Sequence, residues 1–178
     1  HINVHKTFAN YLDTKVNLAR QSKDIFIINA DDPNHEKFSL KDKTILSYGT
    51  KPECTLYIKN YHVTDKYTNI TFVYKKEEYT FLSPLLGKFN VYNLACSMLV
   101  CLSLGFNMHT LIDRVLNIDV SGRMEVIDLG QPFKVIVDYA HTPNAIQAVL
   151  EFVKNLNFKR IIVVVGSAGE RDVQKRPV

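Results

Sequence analysis

The sequence predicts an α/β protein, a mixed sheet with helices, and three observations point there. Helical and strand periodicities alternate along the chain, β-branched and aromatic runs crowd residues 44 to 82, and a strand, helix, strand pattern lies near the end. The chain has 178 residues, 46% of them hydrophobic, enough to bury the core of one full domain or one and a part.

Taken in order, Phe8, Leu12, Val16 and Ala19 recur at helical spacing, with Tyr11 and Leu18 beside them, which predicts an amphipathic helix from Lys6 to Gln21. Tyr11 and Lys15 then lie four residues apart on one face. Ile25 to Ile28 is a short apolar run closed by Asn29, Ala30, Asp31, Asp32 and Pro33, the pattern of a buried strand entering a polar turn. The runs TILSY, CTLYI, NITFVY and EYTFL predict a strand-rich, partly antiparallel region between Thr44 and Leu82. Leu94, Met98, Leu99 and Leu102 mark a helical stripe between Gly87 and Gly105, and Gly105 suits a C-terminal stop. A second short helix is expected from Met108 to Leu116.

Residues Asn117 to Gln131 contain two glycines and change from helical to strand character, which marks a candidate boundary. Beyond it, Phe133 to Val137 reads as a strand, Pro143 to Leu156 as a helix with proline in its first turn, and Ile161 to Val165 as a second buried strand. A single β-α-β unit is too small for an independent sheet domain, so partner strands are expected elsewhere in a longer protein.

Composition narrows the function classes. No stretch approaches the roughly 18 unbroken apolar residues of a bilayer span, and the first residues lack the build of a signal peptide, so a cytoplasmic location without a membrane partner is expected. Cys54, Cys96 and Cys101 make no metal-ligand spacing and fit reduced thiols. The net charge is +4, but Lys and Arg are scattered, which suits an anionic small molecule better than nucleic acid.

Four segments carry chemistry. In DYAHTPNA, Asp138 to Ala145, an acid ends a strand, His141 follows and Thr142-Pro143 opens a helix. An acid at a strand's carboxyl end can meet a ligand hydroxyl; equally, Thr142 can simply cap the helix, with Asp138 merely polar. In GKFNVYN, Asn90 and Asn93 can either match the donor and acceptor edge of a purine or cap the helix that starts there. GSAGERD from Gly166 follows an apolar run as an anion loop would, without the spacing of a Walker loop. NADD, Asn29 to Asp32, is read as a polar turn rather than as an acid-base pair.

Together these segments resemble the Mur ligases, the ATP-dependent amide-forming enzymes of peptidoglycan precursor synthesis. DYAHTPNA looks like the signature of the members that add the third residue of the stem peptide. GKFNVYN is similar to the family's G-x-x-N-x-x-N motif, and SGRMEVI, NADD and the GERDxxKRP pattern also match, in family order along nearly the whole chain. HINVHKTFANYLDTK resembles the family stretch H-x-D-x-H-x-x-x-x-x-Y-x-x-A-K, with Asn3, Lys6 and Thr14 departing from the usual Asp, Gly and Ala.

The resemblance implies that residues 1–121 are the later part of the central ATP-binding domain and 122–178 the beginning of a Rossmann-like C-terminal domain. It implies ATP and Mg2+ as cofactors, with Asn90 and Asn93 near adenine and Arg123, Asp138 and His141 near the ribose, phosphates or substrate. His1 would bind magnesium, and Lys15, carbamylated by carbon dioxide, would become a carboxylate-like ligand of the same ion. Arg171 and Lys175 would contact an anionic substrate. The implied partners are UDP-N-acetylmuramoyl dipeptide and an amino acid, lysine or diaminopimelate, joined through an acyl phosphate by a monomeric enzyme.

The family's phosphate loop does not occur in this sequence, so the chain alone is expected to be inactive. Folylpolyglutamate synthetase and cyanophycin-type ligases share the implied architecture, and a catalytically silent nucleotide-binding module is the non-enzyme alternative.

Overall fold

The computed structural model describes residues 5–156 and 158–166. His1, Asn3, Arg171, Lys175 and the GSAGERD segment past Gly166 lie outside the described residues.

The first helix, α1 (Phe8–Gln21), begins where Thr7 caps it: the Thr7 side chain accepts from the Asn10 amide at 3.2 Å. Lys6, at φ 64°, turns the chain before the cap, so the helix starts two residues later than periodicity alone predicts. Leu12, Val16 and Ala19 are its buried face.

Five strands follow: β1 (Ile25–Asn29), β2 (Thr44–Gly49), β3 (Leu56–Val63), β4 (Thr68–Tyr74) and β5 (Glu77–Ser83). They form one sheet in chain order, β1, β2 and β3 parallel, then β3, β4 and β5 antiparallel. This is the mixed sheet that the sequence implies. A short 3-10 turn (His35–Phe38) lies in the β1 to β2 connection and stacks Phe38 on Phe26 at 5.7 Å. Strand β3 runs to Val63, past the apolar run that marks it, because pairing with β4 holds its polar second half; the register shifts between Ile58 and Asn60.

The β4–β5 hairpin closes on Lys75 and Lys76, both with positive φ (51° and 69°), between the paired residues Tyr74 and Glu77. A two-residue turn of that shape favours Asn-Gly.

Helix α2 (Lys88–Ser103) lies across the sheet and α3 (Met108–Val115) follows, with the Asn107 side chain accepting from the Thr110 amide at 2.8 Å as its cap. Gly105, at φ 93°, turns the chain between them, as expected of a helix stop. Leu56, Ile58, Ile70 and Phe72 from the sheet meet Val91, Leu94, Met98 and Leu99 from α2 to form the core. The three cysteines are free thiols. Among the described residues no helix is long and apolar enough to cross a membrane.

The last part carries a separate two-stranded antiparallel sheet, β6 (Glu125–Ile127) with β7 (Val135–Val137), then α4 (Pro143–Lys154). Thr142 caps α4 and Pro143 occupies its first turn, as the sequence predicts. Lys134, beside β7, donates to the Asp65 backbone oxygen at 3.1 Å and pairs with its carboxylate, joining the two sheets' hairpins.

The expected buried strand at Ile161 to Val165 is a correction: the segment has no strand pairing, and Val164 is 94% exposed. A strand needs a neighbour to accept its backbone hydrogen bonds, and among the described residues this apolar run has none.

The turn supplies a stability test. A non-glycine residue in the left-handed region costs about 1–2 kcal/mol, partly offset by the greater entropy loss of glycine. Lys76→Gly should therefore raise the unfolding free energy by about 0.5–1 kcal/mol in chemical denaturation. No gain would mean that this turn does not hold its left-handed geometry in solution.

Candidate nucleotide site

The residues singled out from the sequence fall on three separate elements. The first is the start of α2. Asn90 is buried and its side-chain amide donates to the Leu86 carbonyl at 2.8 Å, while its oxygen accepts from the Asn93 side chain at 3.2 Å. Asn90 does not cap the helix in the usual forward direction; it ties the helix back to the segment entering it. Asn93 is exposed and keeps its oxygen and one N–H available for a further partner.

The second element joins the boundary segment to β7. Both oxygens of Asp138 accept from backbone amides, Met124 at 2.9 Å and Ala140 at 2.7 Å. A carboxylate has about four acceptor positions, so each oxygen can still take a ligand hydroxyl. Gly122 and Met124 both have positive φ (69° and 51°), and this double turn aims the Met124 amide at Asp138. The Arg123 guanidinium lies 4.8 Å from the centre of the Tyr139 ring, and His141 meets the same ring edge-on at 5.0 Å. His141 Nδ1 is 2.9 Å from the Tyr139 carbonyl. The fold thus brings Arg123, Asp138 and His141 together, around a tyrosine to which the sequence reading gave no role.

The third element is α1. Lys15 is exposed, with its amine 5.5 Å from the centre of the Tyr11 ring. It borders a cavity of about 410 Å³ that His5, Tyr11 and Thr14 also line. His5 Nδ1 lies 3.5 Å from the Thr14 hydroxyl, and the His5 ring meets Tyr11 edge-on at 5.5 Å. A bare ammonium repels a metal ion, whereas a carbamate on Lys15 would offer the hard anionic oxygen that magnesium takes, so the side chain fits the ion only in that form. His5 was not singled out as a candidate from the sequence; its place beside Lys15 depends on how the chain enters α1. Among the described residues no three His, Cys, Asp or Glu side chains gather as a metal cage.

A fourth group was underrated in the sequence. Asp31, at the turn after β1, accepts from the Tyr92 hydroxyl at 2.8 Å, the Thr50 amide at 2.8 Å and the Thr50 hydroxyl at 3.0 Å, all on Oδ2. Its own amide donates to the Asn29 side chain at 3.0 Å, closing an Asx turn. Partial burial pushes the Asp31 carboxyl up, but the Tyr92 and Thr50 hydrogen bonds and nearby Lys51 outweigh it and hold the group below the usual carboxylate range. Burial and then the same hydrogen bond push the Tyr92 hydroxyl up to about 12. The opposite directions describe one interaction, a neutral phenol donating to an ionised carboxylate.

Comparison with known proteins gives these groups a context. The Mur ligase middle domain pattern matches residues 1–101, and the pattern described as Mur ligase, glutamate ligase domain matches residues 122–178. The chain is 36% identical over 186 aligned positions to a UDP-N-acetylmuramoyl-L-alanyl-D-glutamate--2,6-diaminopimelate ligase of Fusobacterium nucleatum, covering 100% of this chain and 37% of that protein. It is 37% identical over 183 positions to a UDP-N-acetylmuramyl-tripeptide synthetase of Borrelia garinii, covering 99% of this chain and 36% of the relative. A solved UDP-N-acetylmuramoyl-L-alanyl-D-glutamate--2,6-diaminopimelate ligase superposes with a TM-score of 0.71 at 31% identity, covering 96% of this chain and 37% of that one. The chain thus spans little more than a third of the length of these relatives. With one family pattern over more than half of its residues and a second over the rest of its length past residue 121, the chain belongs to the Mur ligase family.

Proposed function

We propose that this chain is the ATP-facing middle of an amide ligase that adds the third amino acid, lysine or diaminopimelate, to UDP-N-acetylmuramoyl-alanyl-glutamate. The observation that carries the proposal is the Arg123, Asp138, Tyr139 and His141 cluster, in a chain related along its full length to proteins of that name. In this reading Asn93 meets adenine, Asp138 accepts from a ribose hydroxyl and Arg123 faces the phosphates. Asp138 is also bonded to Met124, the residue after Arg123, so a ligand held by the carboxylate sets the position of the guanidinium as well.

The reaction follows from charge. A peptide carboxylate must approach a triphosphate, and like charges oppose that approach. The carboxylate takes the γ-phosphoryl group, ADP leaves, and the amine displaces phosphate from the resulting acyl phosphate to form the amide. Magnesium, when bound, screens the phosphate oxygens and stabilises the transferring group. Lys15 as a carbamate and His1 would hold it, and Arg123 adds a fixed positive charge on the nucleotide side. His141, fixed against Tyr139, orients substrate or phosphate and is not assigned a proton transfer. Arg171 and Lys175 are proposed to contact the anionic substrate.

The direct test supplies the full-length protein with ATP, UDP-N-acetylmuramoyl dipeptide and either amino acid, and weighs the product. A tripeptide adduct with stoichiometric ADP is expected; glutamylation of folate instead would replace this reading with the folylpolyglutamate alternative. Losing a charge-assisted hydrogen bond of about 1.5–3 kcal/mol corresponds to roughly ten- to hundredfold in binding. Asp138→Ala should therefore raise KM for ATP by about that factor while changing KM for the UDP-sugar far less. Equal losses for both substrates would remove Asp138 from the nucleotide site.

A further inference from the structure

We propose that Asp31 and Tyr92 form a positioning pair that sets the rotation and height of α2, and through it the place of Asn93 in the nucleotide site. The inference rests on the functional reading above and deepens it. Tyr92 and Asn93 are adjacent on α2, whereas Asp31 sits 61 positions before Tyr92 in the chain, at the end of β1. The helix packs on the sheet through Val91, Leu94 and their neighbours, and apolar contact of this kind is non-directional. It fixes which face meets the sheet and leaves the finer rotation to directional contacts.

The Tyr92 to Asp31 bond supplies a directional restraint at the start of the helix, and its anchor is itself fixed. Thr50 donates twice to Asp31, Asn29 holds the Asp31 backbone, and Gly49 leaves room for the carboxyl: a Cβ there would stand 3.0 Å from it. Tyr48 steadies the phenol edge-on at 6.5 Å. Asn90 then passes the position on, accepting from Asn93 while held to Leu86. A shift of about 1 Å in a binding group can change rates by up to a hundredfold, so a restraint one residue from Asn93 matters to the ligand.

The test uses the full-length enzyme with Tyr92→Phe, which deletes one hydroxyl and keeps the ring, beside Asp31→Ala, Asp31→Asn, the double variant and Asn93→Ala. Tyr92→Phe should raise KM for ATP about five- to tenfold, with KM for the UDP-sugar and kcat within about twofold. Asp31→Asn, which keeps an acceptor oxygen, should recover most of the Asp31→Ala loss. The double variant should be no worse than the worse single variant. A lower melting temperature for Tyr92→Phe with unchanged KM for ATP would make the pair merely structural and overturn the inference, as would additive losses in the double variant. If Asn93→Ala raises KM for ATP and Tyr92→Phe does not, the inference fails alone. If Asn93→Ala has no effect, the nucleotide reading of α2 fails and takes this inference with it.

Discussion

Helix α2 rests on the parallel half of the sheet by an apolar stripe, and such packing sets the buried face of the helix while leaving its finer rotation to directional contacts. The Asp31 carboxylate adds such a contact, because a phenol that donates to it is held within a narrow range of distance and angle. The helix carries the buried Asn90 and the exposed Asn93 in its first turns, so the place proposed for Asn93 depends on that restraint.

The same division of labour recurs past residue 121. The β6–β7 hairpin is a small, mostly exposed element with little core of its own, yet Asp138 bonds the Met124 amide and Tyr139 gathers Arg123 and His141. Backbone donors hold the carboxylate and an aromatic face holds the cation, both in fixed geometry. Groups held this way need little further ordering to meet the nucleotide proposed for them.

Much of the fold was legible in the sequence because periodicity reports burial. Leu12, Val16 and Ala19 are the buried face of α1, and Leu94, Met98, Leu99 and Leu102 are buried on α2. Capping chemistry was legible for the same local reason, with Thr142 and Pro143 starting α4. Ile161 to Val165 was misread because strand structure belongs to a pair of segments, and β-branched composition cannot say whether a partner is within reach. At the site, motifs identified Asn90, Asn93, Arg123 and Asp138 as candidates, but not which of them are internally bonded. The Asp31 to Tyr92 contact spans distant segments and was invisible: NADD reads as a polar turn until the fold brings a tyrosine to it.

The Tyr92 to Asp31 contact restrains the start of α2, and amide hydrogen exchange measures that most directly. In the full-length protein, the amides of residues 91 to 94 bond back into the first helical turn and should exchange roughly tenfold faster in Tyr92→Phe than in the unaltered protein. Amides in the middle of α2, held by the apolar stripe, should change little. Unchanged exchange across residues 91 to 94, or a uniform increase along the whole helix, would contradict the account.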